Sequence, residues 1–260
     1  VATPLSRPYL THFASLTQPL RYPMHPTSKA ARIAGAVYLC GGFFAPFSLI
    51  YVPNKLIVTG NAAATAANIL AHETMFRLSI LTDLINQIIF ICLAVALYRL
   101  LRDVSRPWAW LMVAFVLVSA AVCFTNALNN IAALILFRGA EFLSVFDQPQ
   151  RDALGMLFLR LHSHGLFIAE MFWGLWLFPF GLLVFRSRFL PRLIGVWLML
   201  DCFGWIALSV IALFFLNYYE AAFKCLQPVF FAELAIGLWL LIKGAKVTSP
   251  APATVQMKTV

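Results

Sequence analysis

Six runs of mostly apolar residues, at about 31–52, 75–101, 108–137, 153–185, 190–216 and 223–242, dominate this chain. Each reaches the roughly 20 residues that an α-helix needs to cross the hydrocarbon of a bilayer. A backbone in lipid has to satisfy its own hydrogen bonds, so runs of this length read as spanning helices. Hydrophobic residues make up 62% of the chain and charged residues only 11%. Soluble domains carry about 25% charge, and so few charged side chains could not cover a core of this size in water. The expected fold class is therefore all-α, a polytopic bundle of six transmembrane helices occupying 30–244. A disordered leader over 1–29 and a disordered tail over 245–260 are expected to flank it. The leader is rich in Pro, Ser, Thr and Arg, and Met24 is a candidate start.

Two spans depart from a straight crossing. At about 1.5 Å per residue the run 108–137 exceeds the hydrocarbon thickness, so it must tilt or protrude. Pro179 should kink the fourth run or end its straight portion. Between the first two spans, Asn61 is a credible N-cap for a short helix over about 61–73, acting as a lid over the bundle mouth or as a spacer.

A formal charge of +9 would suggest nucleic acid for a soluble protein. Here the cations flank apolar runs instead of forming one basic stripe, which excludes that partner and makes them headgroup anchors. Of the 19 Lys and Arg residues, 13 fall on one side, including Lys29, Arg32, Arg102, Arg188, Arg192 and Lys243. That side is expected to be cytoplasmic and to hold both termini, in keeping with an even number of spans.

Polar residues within the spans need a partner, a proton or a cavity, because a central charge costs at least about 2.5–3.5 kcal/mol on insertion scales. Counting along the helices from the cationic anchors puts Asp201 and Glu233 near the midplane. Asp83, Glu170, His162 and His164 come out in the outer half, and Arg77, Arg160, Asn126, Asn129 and Asn130 close to the outer boundary. One reading gathers these groups in an outward-facing polar pocket, with Asp83 facing His162 and with Arg77 and Arg160 at its rim. The other satisfies each group separately, by interhelical hydrogen bonds or by snorkelling. Asp201 and Glu233 are open to two readings as well: members of a proton relay, or neutral acids bonded to nearby carbonyls. The run Met171 to Trp176 is a candidate pocket wall.

Metal and nucleophile chemistry find little support. His162 and His164 point about 200° apart on a helix and cannot share an ion. No zincin-like spacing, phosphate loop or serine elbow is present. Cys40, Cys92, Cys123, Cys202 and Cys225 lack paired spacing and are expected to be buried thiols.

Several stretches carry a family likeness: Ala31 to Gly35, Leu56 to Gly60 with Ala62 to Asn68, Phe76-Arg77 with Asp83, Leu161-His162 with Gly165, Phe189 to Arg192, and Glu233 with Trp239 and Lys243-Gly244. With them the chain resembles the bacterial integral membrane family known as domain of unknown function 4386. The resemblance implies a multi-pass protein of the bacterial cytoplasmic membrane and supplies no activity or cofactor. Arg160, His164 and Glu170 depart from the family pattern, which leaves Arg77, Asp83, His162 and Glu233 as the shared set.

Three functions follow as expectations. The leading one is binding or transport of a small polar solute, coupled to protons through Asp83, His162 and Glu233. The alternatives are an intramembrane enzyme acting on a lipid-like substrate, with His162 as general base or metal ligand and Asp83 orienting it, and a structural or regulatory subunit. The expected partners are the bilayer and a small polar or lipophilic ligand. Whether the chain is an enzyme, and whether it forms oligomers, is left open by the sequence.

Overall fold

A computed structural model describes residues 28–245, so the expected leader, the tail beyond 245 and the candidate start at Met24 lie outside the described residues. The described chain is helical and without strands: α1 Ser28–Pro46, α2 Val52–Leu56, α3 Ala62–Ala71, α4 Glu73–Leu101, α5 Arg106–Arg138, α6 Gln148–Leu175, α7 Leu177–Arg186, α8 Arg192–Phe214 and α9 Tyr219–Ile242. Six helical stretches are long and apolar enough to cross a membrane, with α1 to α2 forming one and α6 to α7 another. They match the six expected runs, with ends that differ by a few residues.

Prolines shape both composite spans. Pro46 and Pro53 each remove a donor from the helical ladder, and the Phe47–Tyr51 segment between them widens into a π-helix, with Val52 N–H donating to the Phe47 carbonyl. The span therefore runs on to Leu56 instead of stopping near 52. In the fourth span Pro179 has no N–H for the Leu175 carbonyl, and the helix breaks at Trp176 to begin again as α7. This is the expected kink, placed one turn ahead of the proline.

Capping residues fix the other ends. Asn61 accepts from Ala64 N–H at 2.9 Å, as expected of an N-cap, and α3 covers 62–71. Asp147 and Gln150 form a reciprocal capping box that starts α6 at Gln148, ahead of the expected 153. Gly139 ends α5 in the left-handed conformation, with φ 67°.

Two apolar cores fill the bundle. One joins α1, α4, α5, α7, α8 and α9 in the half nearer the cationic ends, around Leu97, Met112, Trp176, Phe180, Leu198 and Ile236. The other lies toward the opposite end, where Ile69 of α3 meets Val52, Phe76, Leu134 and Leu159. The short helix is thus packed into this second core, and Thr65 ties it back to the Val58 N–H at 2.9 Å.

Glycines set the closest helix contacts, as is usual where lipid supplies no hydrophobic drive between helices. A Cβ on Gly181 would lie 2.6 Å from the Gly195 carbonyl, and one on Gly195 would lie 2.7 Å from the Gly181 carbonyl, so α7 and α8 touch backbone to backbone. Gly35 of α1 sits as tightly against Gly237 and Leu241 of α9. Outward of that crossing the two helices leave room between them.

The cysteines divide. Cys123 and Cys202 are buried, whereas Cys40, Cys92 and Cys225 are exposed on the outer surface of the bundle. The expectation of five buried thiols is corrected accordingly: a thiol is apolar enough to face lipid and needs no core position.

Candidate functional site

The polar residues of the spans fall into separate groups, each built on particular helices. At one end of the bundle, Glu73 at the start of α4 accepts from Arg77 Nε at 2.6 Å and forms an ion pair with Arg138, whose Nε lies 3.1 Å from its other oxygen. Both arginines are more than half exposed, and exposed pairs of this kind add little to stability.

His162 joins α6 to α5. Its Nδ1 lies 3.2 Å from the Asn126 carbonyl, and its Nε2 lies 3.3 Å from Asn130 Nδ2. A carbonyl can only accept, so Nδ1 carries the hydrogen and Nε2 accepts from the Asn130 amide. Asn126 Nδ2 donates in turn to the His162 carbonyl at 2.8 Å, and its own Oδ1 accepts from Asn129 at 2.9 Å. Gly165, one turn along α6, leaves the space that the Asn126 side chain fills. Asp83 of α4 lies close enough to His162 for their charges to interact. Asp83, His162, Asn126 and Asn130 are thus brought together on different helices.

Arg160 and His164 stand apart from this cluster. Both are exposed, and His164 turns back to the Arg160 carbonyl at 2.8 Å and rests edge-on against Phe167. Glu170 belongs to another pair, accepting from the Tyr219 hydroxyl at 2.5 Å, with its second oxygen buried and unpartnered among the described residues.

Asp201 and Glu233, the acids expected near the midplane, sit on α8 and α9. Glu233 accepts from the Tyr38 hydroxyl at 2.6 Å and from Trp205 Nε1 at 3.2 Å, linking α9 to α1 and α8. Asp201 is fully buried, and neither of its oxygens has a hydrogen-bond partner among the described residues.

Glu233 also lines a cavity of about 520 Å³ in the gap that α1 and α9 leave between them. Its aromatic wall includes Tyr38, Phe90, Trp173, Trp176, Trp205 and Phe230. The rings brace one another: Trp176 stacks on Phe180 at 5.3 Å, Phe90 meets Trp176 edge-on at 5.1 Å, and Trp205 stacks on Phe230 at 4.5 Å. The Met171 to Trp176 run thus supplies two wall residues, Trp173 and Trp176. Polar atoms enter from α4 and α9 through Asn86, Gln87 and Gln227. Asn86 Oδ1 and Gln87 Oε1 are buried and have no partner among the described residues. A Cβ on Gly42 would meet nothing within 4 Å. Gly42, Gln227, Phe231 and Leu234, which also line the cavity, are exposed on the outer surface, so it opens sideways between α1 and α9.

Of the expected site residues, Glu233 lines this cavity, while Asp83 and His162 do not. Tyr38, Asn86, Gln87, Trp205 and Gln227 were not singled out from sequence. Two adjacent amides in the middle of an apolar run, Asn86 and Gln87, are a signal that could have drawn attention. No group of three His, Cys, Asp or Glu residues that could hold a metal ion occurs among the described residues.

The helices and their buried polar contacts define a multi-pass α-helical membrane protein. The chain belongs to the family described as domain of unknown function 4386, whose model matches residues 33–244, the whole spanning region but its first few residues. An uncharacterized protein of Archaeoglobus fulgidus is 32% identical over 161 residues, covering 62% of this chain and 80% of that protein. No solved structure matches the chain.

Proposed function

We propose that the protein binds an amphipathic small molecule that enters from the bilayer through the gap between α1 and α9. The observation that carries this reading is the cavity itself: about 520 Å³, walled by aromatic rings, open sideways, with Glu233 and the amide residues Asn86, Gln87 and Gln227 on its lining. A volume of this order suits a drug-sized ligand, and apolar walls with a few placed polar groups are the usual form of such sites. This revises the expected small polar solute toward a lipophilic one, because the polar cluster around His162 lies outside the cavity lining.

The enzyme reading loses support for the same reason. Both ring nitrogens of His162 are engaged by α5, which leaves no lone pair for general-base work. Proton-coupled transport stays as a second reading, favoured by fully buried Asp201 lying near enough to Glu233 for their charges to interact.

A diazirine-bearing alkyl probe in liposomes tests the proposal. It should label peptides from 37–49 and 223–234 saturably, and Gly42→Trp, which fills the cavity mouth, should abolish the saturable part. Labelling that stays proportional to probe and is indifferent to Gly42→Trp would mean ordinary lipid contact and would sink the reading.

A further inference from the structure

The polar inventory of the cavity is one-sided. Among its described lining residues there is no Lys, Arg or His, so nothing positively charged faces an occupant. What does face it is an acceptor: Glu233 carries a carboxyl whose two oxygens each accept a single bond, from Tyr38 and from Trp205, and each therefore keeps a lone pair.

The surrounding rings point the same way. Trp173, Trp176 and Trp205, with Tyr38, Phe90 and Phe230, give the cavity a high density of π-faces. Such rings attract cations electrostatically, most strongly in a desolvated setting, and tryptophan does so best. A carboxyl within an aromatic enclosure forms a receptor for a cation bearing N–H groups on an apolar body.

We propose that the ligand is a lipophilic amine bound as its ammonium form, with the nitrogen at Glu233 and the apolar body along the aromatic wall. This assignment rests on the reading of the cavity as a binding site and specifies the chemistry of its occupant. Anionic amphiphiles are disfavoured because the lining offers them no cation, and neutral ones because they leave the carboxyl unanswered.

Three probes sharing one dansyl-alkyl body separate the cases: a terminal primary amine, its N-acetyl derivative and a terminal carboxylate. Binding to the full chain in phosphatidylcholine nanodiscs is read by energy transfer from the cavity tryptophans. The amine should bind saturably and about tenfold or more tighter than the other two. Glu233→Gln, which keeps a group able to accept from Tyr38, should remove that preference, so that the amine binds no tighter than the N-acetyl probe. If Glu233→Gln fails to fold, Trp173→Leu, which removes a ring from the cavity wall, serves instead and should weaken the amine more than the N-acetyl probe.

Equal affinity for all three probes, or an amine preference untouched by both variants, overturns the ammonium assignment and leaves the cavity reading standing. Saturable binding of the N-acetyl probe without the amine has the same meaning. Failure of every probe to bind, with Gly42→Trp indistinguishable from the unmodified chain, overturns both.

Discussion

Asn126 shows how a single amide can hold two spanning helices. It donates to the His162 carbonyl, its own carbonyl faces His162 Nδ1, and its side chain fills the hollow left by Gly165. Interhelical hydrogen bonds in membranes average about 0.6 kcal/mol and reach about 1.7, but here several act through one residue. Asn126→Ala should therefore destabilise the bundle by roughly 1–3 kcal/mol in a reversible detergent unfolding assay. His162→Asn should lower stability in the same assay and leave cavity ligand binding unchanged, since His162 does not line the cavity. A parallel loss of binding would tie the two sites together. Sequence depth counting placed Asp83, His162, Asn126 and Asn130 at neighbouring levels, and the structure does gather them. The same counting could not separate them from Arg160 and His164, because helix rotation, and not depth, decides which side chain turns inward.

Among the elements, the α7–α8 hairpin depends most on the absence of side chains. Gly181 and Gly195 face each other's carbonyls at distances that a Cβ cannot share. Gly181→Val should cost at or beyond the roughly 1–3 kcal/mol typical of overpacking, because the obstacle is backbone and cannot rotate away. Loss of the monodisperse peak in size-exclusion chromatography would register it, and normal behaviour would contradict the close approach. Gly35 plays the corresponding part at the α1–α9 crossing and sets where the two helices begin to diverge. The helix break was legible in the sequence from Pro179, whereas the π-helical stretch between Pro46 and Pro53 was not. Two prolines announce missing donors, but whether a helix kinks, breaks or widens is settled by what packs beside it.

For the whole molecule, the distribution of Lys and Arg predicts how the bundle sits in its membrane. The ends carrying Lys29, Arg32, Arg102, Arg192 and Lys243 should lie on the cytoplasmic side. Alkaline phosphatase fused after residue 245 should then be inactive in a bacterial host and a fluorescent protein fused there should fold, with the opposite pattern for fusions in the 57–61 loop. A reversed result would show that the cation count does not orient this chain.

Apolar length and charge placement were properties of the chain alone. A bilayer demands about 20 apolar residues per crossing wherever they occur, so six spans, the short helix capped by Asn61 and the disturbance at Pro179 could be read without coordinates. Which polar groups share a space depends on rotation and crossing angle, and these are fixed by glycine contacts and ring packing between segments far apart in sequence. Tyr38 and Glu233 are 195 residues apart, yet they meet at 2.6 Å. Only the packed bundle could place that pair at the wall of a cavity, and only it could turn the cluster around His162 to another location.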